Sequence, residues 1–455
     1  VWGTGPEGVE VTVSYGSTVA MTVVQKNGAW LATLDTTKPS TEGQNVTVET
    51  ADATIVLRDV VSGPVWLCSG QSNMVFAVKD MYGGADLIAD ASRNIRLFTV
   101  PERIDEAPQT DLEGSEWQLA EDGVADFSAV CYATAKAVYG SSSSFVGLVM
   151  SAVGGTPIEA WMSRDALEAA GEPSDPTSTA CPGASRNNSN LFNAMVNPLR
   201  PYTFDVTLWY QGESNVGCPY EYGPAFTALV SDWRALFNQT MPFLFVQLAA
   251  YGDADLTTAA RSLDGLPQLR LQQNQALALP RVGMAVALDR GDRPDGCEDS
   301  NESLVLYPGG IHPCNKSAVA RRLGIALDDV LSDAGTSRPY VLRAEVGTDA
   351  AVSLRFANAA DAALVDTEAC TACCAGDTPF ELAVDGQWVL ADVLSVRNGT
   401  VALSAFARSD GTTSRILLPR TTPPTSVRYA SQGFPQCVLS NGNDLTASPF
   451  VMSLV

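Results

Sequence analysis

The sequence predicts an α/β fold: a doubly wound parallel sheet with helices on both faces, preceded by one β-sandwich and followed by another. Three observations carry this. Between residues 63 and 335, short apolar runs alternate with amphipathic, helix-like segments. On either side of that span the helix-like segments vanish, and period-two strands separated by Gly, Asn, Asp and Pro take their place. A chain of 455 residues also exceeds one ordinary core, so several domains are expected.

The elements follow in order. In residues 1–62, "VEVTVSYG", "STVAMTVVQ" and "NVTVET" alternate apolar and polar positions, as half-buried strands do. They predict a small N-terminal β-sandwich, incomplete at its first strand. In residues 63–335, "VWLC", "FVGLVM", "DVTLWY", "PFLFVQLAAY" and "VGMAVAL" are apolar throughout, the pattern of strands buried on both faces. "FTALVSDWRALF", "LPQLRLQQNQALAL" and "SAVARRLGIALDDVL" supply the helices between them, and "SSSS" at 141–144 is a short loop. In residues 336–455, "YVLRAEVG", "AVSLRFA", "GTVALSAFA" and "SRILLPR" return to strand patterning and predict the C-terminal β-sandwich.

Composition excludes several classes of function. The formal net charge is -23 with a pI near 4.3, so nucleic acid and anionic membrane surfaces repel the chain. The same charge suits an acidic compartment, where carboxylates partly protonate and self-repulsion falls. No apolar run reaches membrane-spanning length. The 10 cysteines lack paired zinc-ligand spacing, for the CxxC within "CTACC" has neither a second pair nor a histidine beside it. Disulfides, and therefore an oxidising compartment, are expected. Sequons at Asn45, Asn187, Asn238, Asn301, Asn315 and Asn398 point the same way, as glycosylation sites in a secretory pathway. The chain starts at "VWGTGPEGVEVTV" without a methionine, and removal of a leader is expected.

Polar residues gather where strands end. Ser72 follows "VWLC", and Gly154 and Gly155 follow "FVGLVM". "DVTLWY" leads into Gln211, Glu213, Ser214 and Asn215, and His312 in "GGIHPCNK" precedes a helix. A hydroxyl, approachable backbone amides, side-chain amides and an imidazole are the set that acyl transfer uses. Plainer roles exist for each: Ser72 as a helix N-cap, His312 as a cap or core residue, and the glycines as turn residues. "GQSN" is also not the G-x-S-x-G elbow. What favours chemistry is that His312 is the only histidine in the chain and lies at a strand-to-helix junction.

"VWLCSGQSNM", "GGTPIEAW", "WYQGESN" and "IHPCNK", in this order, resemble the sialate O-acetylesterase family of the SGNH hydrolase superfamily. "VRYASQGFPQCVLSNGNDLTASPF" resembles the end of its animal lysosomal members, so the likeness runs over nearly the whole chain. "GQSNM" and "QGESN" occur in acetylxylan esterases as well and identify the chemistry better than the substrate. The resemblance implies an SGNH-type sheet, Ser72 as nucleophile and His312 as base. It also implies an oxyanion hole of the Ser72 amide, an amide of Gly154 or Gly155, and a side-chain amide, Gln211 before Asn215.

Many members place an aspartate two or three residues before the histidine; here those positions are Gly310 and Gly309. A third triad member would then come from Asp289, Asp292, Asp295 or Asp299, or a carbonyl near Gly310 orients the ring, and a Ser-His dyad is the preferred expectation. The implied reaction is removal of O-acetyl groups from sialic acids, 9-O-acetyl foremost, with no metal or cofactor. The implied location is the secretory pathway, lysosomal or secreted. Alternatives are an acetylesterase for neutral polysaccharide such as xylan, and a silent sialoglycan-binding protein.

Trp161, Trp209, Tyr210 and Glu213 border the motif loops as candidate sugar contacts. Arg164, Arg290 and Arg293 are candidates for a substrate carboxylate. Cys68 is expected to be packed or bridged, and a Cys297–Cys314 bridge would tether the histidine loop.

Overall fold

The computed structural model describes the chain except residues 35–38, 41, 141, 143, 173–186, 239, 252–264, 292–310, 348–350, 368–377, 409–414 and 418–422. The central sheet is built from β1 (Val65–Gly70), β2 (Ile95–Thr99), β3 (Gln118–Leu119), β4 (Val146–Ala152), β5 (Val206–Tyr210), β6 (Phe243–Gln247) and β7 (Val282–Val286). Its spatial order is β7-β6-β5-β1-β4-β2-β3, parallel except for the short edge strand β3. The chain leaves β1 for one flank, returns at β4 beside it, then crosses to β5 on its other side. Loops therefore diverge around the carboxyl end of β1, the place where open α/β sheets gather ligands.

Helices α1 (Ala129–Tyr139), α2 (Tyr222–Leu236) and α3 (Lys316–Ser332) cover the sheet. Alternation along β6 separates its two faces: Phe243 and Phe245 meet Phe226 of α2. Leu244 turns the other way, where a Cβ on Gly283 would touch both it and Ala326 of α3. Burial on both faces is why these strands read as unbroken apolar runs. Ser128 and Asn315 cap α1 and α3 by accepting from the amides three residues on. "LPQLRLQQNQALAL" forms an α-helix over Leu266–Gln273 that tightens to 3₁₀ over Asn274–Ala278.

The disulfide Cys68–Cys131 ties β1 to α1. Cys218, Cys314 and Cys437 are bridged too, while Cys297 lies outside the described residues. Strands β2 and β3 escape the apolar-run criterion. In β2 the apolar positions are interrupted by Arg96, which sits 3.0 Å from Asp59 and stacks over Phe145.

The N-terminal region forms a four-stranded antiparallel sheet, in the order Thr18–Val23, Glu10–Tyr15, Gln44–Glu49, Thr54–Val60, with a separate ribbon of Trp2–Thr4 and Ala29–Leu31. It has a small core of its own around Val11, Val13, Val46 and Val48. The C-terminal region forms a larger antiparallel sheet running from Tyr340–Val346 at one edge to Phe450–Ser453 at the other. Its core is continuous with that of the α/β sheet. Arg270 donates to the carbonyls of Gln432 and Gly433, and Gln247 to Ser448 Oγ, so the terminal segment is fastened to the central sheet.

Candidate active site

At the end of β1 the backbone must turn against β5. Gly70 does this with φ +139°, and a Cβ there would lie 2.1 Å from the Tyr210 carbonyl oxygen, so no other residue fits. One helical turn, Ser72–Val75, follows. Ser72 does not cap it: the N-cap is Gln71, whose backbone carbonyl accepts from Met74 and Val75. The Ser72 side chain is buried and its Oγ lies 2.8 Å from His312 Nε2.

Burial, then the nearby Lys316 cation, lowers the His312 pKa to about 4. The imidazole is therefore neutral from mildly acidic to neutral pH, and Nε2 accepts from the serine hydroxyl. The loop after β4 passes close by, for a Cβ on Gly154 would lie 3.6 Å from that of Ser72. Gly155 turns the loop at φ +70°. The Ser72 amide, first in its turn, has no acceptor among the described residues.

The side-chain amides are not where the sequence suggests. Gln211 is fully buried, and its Nε2 is shared among Asn215 Oδ1 (2.8 Å), Thr156 O (3.0 Å) and Gln71 Oε1 (3.3 Å). Asn215 Nδ2 donates to the buried Glu159 carboxyl, at 3.0 Å to each oxygen. Burial pushes that carboxyl up, opposed by the Asn215 hydrogen bonds. Both amides satisfy one another and the loop backbone, and neither is aimed at Ser72. Sugar stacking by the aromatic residues is corrected likewise: Trp161, Trp209 and Tyr210 are at most 1% exposed. Trp161 donates to Thr156 Oγ1 at 2.9 Å.

Asp289 is also spoken for. Its two oxygens meet Arg322 at 2.5 and 2.7 Å, and Arg290 lies at 3.0 Å, so the carboxylate serves arginines rather than the imidazole. Asp292, Asp295, Asp299, Arg293, Asn301, Gly309 and Gly310 lie outside the described residues. Arg164 reaches the Glu106 carbonyl, and Arg290 reaches Asp444. Among the sequons, Asn45, Asn187 and Asn398 are exposed, whereas Asn238 and Asn315 are half-buried.

Glu213 is half-buried and accepts from Asn73 Nδ2 at 2.6 Å. Asn73 is the site residue that sequence reasoning missed. Its signal was adjacency, as the residue after the serine in "GQSN", but nothing in the spacing tells which loops its amide joins.

A family model described as "Carbohydrate esterase, sialic acid-specific acetylesterase" matches residues 62–296. The chain belongs to this family. Curated relatives named sialate O-acetylesterase include the rat protein, 32% identical, the match covering 71% of this chain and 68% of the relative. The human one is 33% identical, covering 71% and 65%. Among solved structures, a carbohydrate acetylesterase from Xanthomonas citri superimposes with a TM-score of 0.78 at 28% identity, over 99% of this chain and 94% of that one. The family match spans β1 to β7, and so includes the serine turn and the loops after β4 and β5. The chain is an enzyme of the carboxylic ester hydrolase class. Among the described residues no helix is long and apolar enough to cross a membrane.

Proposed function

We propose that the protein is a serine esterase that removes O-acetyl groups from sialic acids, 9-O-acetyl foremost, through an acyl-enzyme on Ser72. The observation that carries the reading is the 2.8 Å contact between Ser72 Oγ and a neutral His312 Nε2. In this reading residues 63–335 form an SGNH-type catalytic unit framed by β-sandwiches at 1–62 and 336–455. Bridged cysteines and exposed sequons support a secretory or lysosomal setting.

His312 Nε2 takes the proton of Ser72 Oγ as the oxygen attacks the acetyl carbonyl carbon. The amides of Ser72 and the Gly154 loop stabilise the oxyanion, a contribution of about 3 kcal/mol per donor. The bond to the sugar oxygen breaks, and that oxygen leaves with the proton from Nε2. Water then enters with Nε2 again as base, and acetate departs from Ser72.

The test is acetate release from 9-O-acetylated sialic acid across pH. Ser72→Ala and His312→Ala are each expected to lose at least about 1,000-fold in kcat. In the wild type, activity needs the unprotonated imidazole, so it is kept as pH falls below the ordinary histidine range and is lost only near pH 4. Full turnover by Ser72→Ala would end the serine reading. The Xanthomonas likeness favours a second reading, in which the acetyl groups sit on another carbohydrate. Acetylated xylan offered beside acetylated sialic acid separates the two by kcat/KM.

A further inference from the structure

Three loops meet beneath the proposed nucleophile, and one side chain joins them. Asn73 is completely buried. Its Nδ2 donates to Glu213 Oε1 at 2.6 Å, in the loop after β5, and to the carbonyl of Ile311 at 2.8 Å, the residue before His312. Its Oδ1 accepts from Lys316 Nζ, at the start of α3.

The orientation is not interchangeable. An ammonium only donates, and a backbone carbonyl only accepts, so Oδ1 must face Lys316 and Nδ2 must face Ile311. Lys316 is itself fully buried, with its ammonium 4.7 Å from the Phe76 ring centre and 5.2 Å from that of Tyr210. A buried ammonium is costly unless held, so its place is stringently set. Opposite it, Glu213 is buried enough that its carboxyl is pushed up, and its Oε2 has no hydrogen-bond partner among the described residues.

We infer that Asn73 is a positioning residue for the reaction: its amide, oriented by Lys316 on one side and Glu213 on the other, locks the loop bearing His312 against the turn bearing Ser72. The inference rests on the serine–histidine reading above. A hydrogen bond to the carbonyl immediately before the histidine, from the residue immediately after the serine, ties the two backbones together one residue from each reacting side chain. Displacements of about 1 Å in such pairs cost roughly 100-fold in rate.

The test uses p-nitrophenyl acetate turnover, the rate of Ser72 labelling by a fluorophosphonate, and thermal unfolding, all on the full chain. Asn73→Ala is expected to lose roughly 100-fold in kcat and in labelling rate, with KM within about threefold. Asn73→Asp keeps the shape but not the donors, and is expected to lose as much. Glu213→Gln, which keeps an acceptor oxygen, should retain at least about ten times the kcat of Glu213→Ala.

Lys316→Met decides the matter if the Asn73 variants do not fold. Ser72 from the β1 turn touches the ring of His312, and Lys316 from α3 is the charged group whose field reaches it. Losing the cation raises the histidine pKa, so the acid limb of kcat/KM moves up by about half a pH unit, and labelling slows. Asn73→Ala or Asn73→Asp at wild-type kcat and labelling rate overturns the inference, as does Lys316→Met with an unmoved limb and unchanged labelling. Failure of the underlying reading looks different, because Ser72→Ala would then remain active.

Discussion

Two buried polar clusters flank the proposed nucleophile, and they differ in what they can do. One, Gln71–Gln211–Asn215–Glu159, consists of neutral amides ending on a single carboxyl. The other, Lys316–Asn73–Glu213, holds a cation and lies under the histidine loop. Each includes residues that the sequence placed in the candidate site: Gln211 and Asn215 in the first, Glu213 in the second. The first satisfies the backbone of two strand-end loops: Asn215 Oδ1 accepts from the Ile158 amide, and Gln71 Oε1 from the Ser214 amide. The second holds the histidine loop through the Ile311 carbonyl and puts a cation near the His312 ring. Proximity to a nucleophile thus does not by itself assign a polar side chain to chemistry; the direction of its donors does.

The largest stability effect should come from the first cluster. Asn215→Ala takes the Asn215 hydrogen bonds from the buried Glu159 carboxyl and from the buried Ile158 amide together, and is expected to cost about 3 kcal/mol. The comparison predicts that the folded fraction of this variant keeps the wild-type acid limb, since no charge facing His312 has been removed. Thermal unfolding with a pH–rate profile measures both. An acid limb that moved with Asn215 would merge the two clusters into one electrostatic unit.

A third polar group sharpens the contrast, because sequence placed it among the triad candidates. Burial raises the Asp289 pKa, but the Arg322 hydrogen bonds and charge, and then Arg290, more than offset this and hold the carboxyl below its usual range. A depressed folded pKa gives stability that is present above the unfolded carboxylate range and lost as pH falls through the lower, folded value. The pair therefore outlasts an ordinary carboxylate as pH falls. Asp289→Asn is expected to cost about 2 kcal/mol by leaving Arg322 under-compensated, with kcat per folded molecule preserved. A triad acid would behave in the opposite way, losing kcat by orders of magnitude with stability nearly intact. Unfolding midpoints and single-turnover rates on the same preparation distinguish them.

The strands β1, β4, β5, β6 and β7 were legible because both of their faces are buried, which leaves unbroken apolar runs in the sequence. Strand β2 was not, since Arg96, which pairs with Asp59 of the N-terminal sheet, breaks the run. That Ser72 and His312 meet was legible because strand ends and a sole histidine can be counted. The oxyanion amides were not, for Gln211 and Asn215 could point up to a ligand or down to a partner. The partner that turns Asn215 down, Glu159, lies 56 residues away, at a separation no motif encodes. Asn73 was hidden for the same reason: its partners Ile311 and Lys316 are 238 and 243 residues distant.

The smallest effect tests the aromatic residues, where expectation and structure part most simply. Trp161 packs edge-on against Trp209 with ring centres 6.4 Å apart, and its carbonyl accepts from Trp233. A sugar cannot reach a ring that is fully buried. Trp161→Phe keeps most of the packing and removes the hydrogen bond to Thr156, so it should cost about 1–2 kcal/mol. KM for the acetylated sugar should be unchanged. Thr156 also holds Gln211 through its carbonyl, which makes the substitution a mild perturbation of the neutral cluster alone. A KM that rose tenfold with stability intact would return Trp161 to the substrate; a lowered unfolding midpoint at constant KM leaves it in the floor beneath the site.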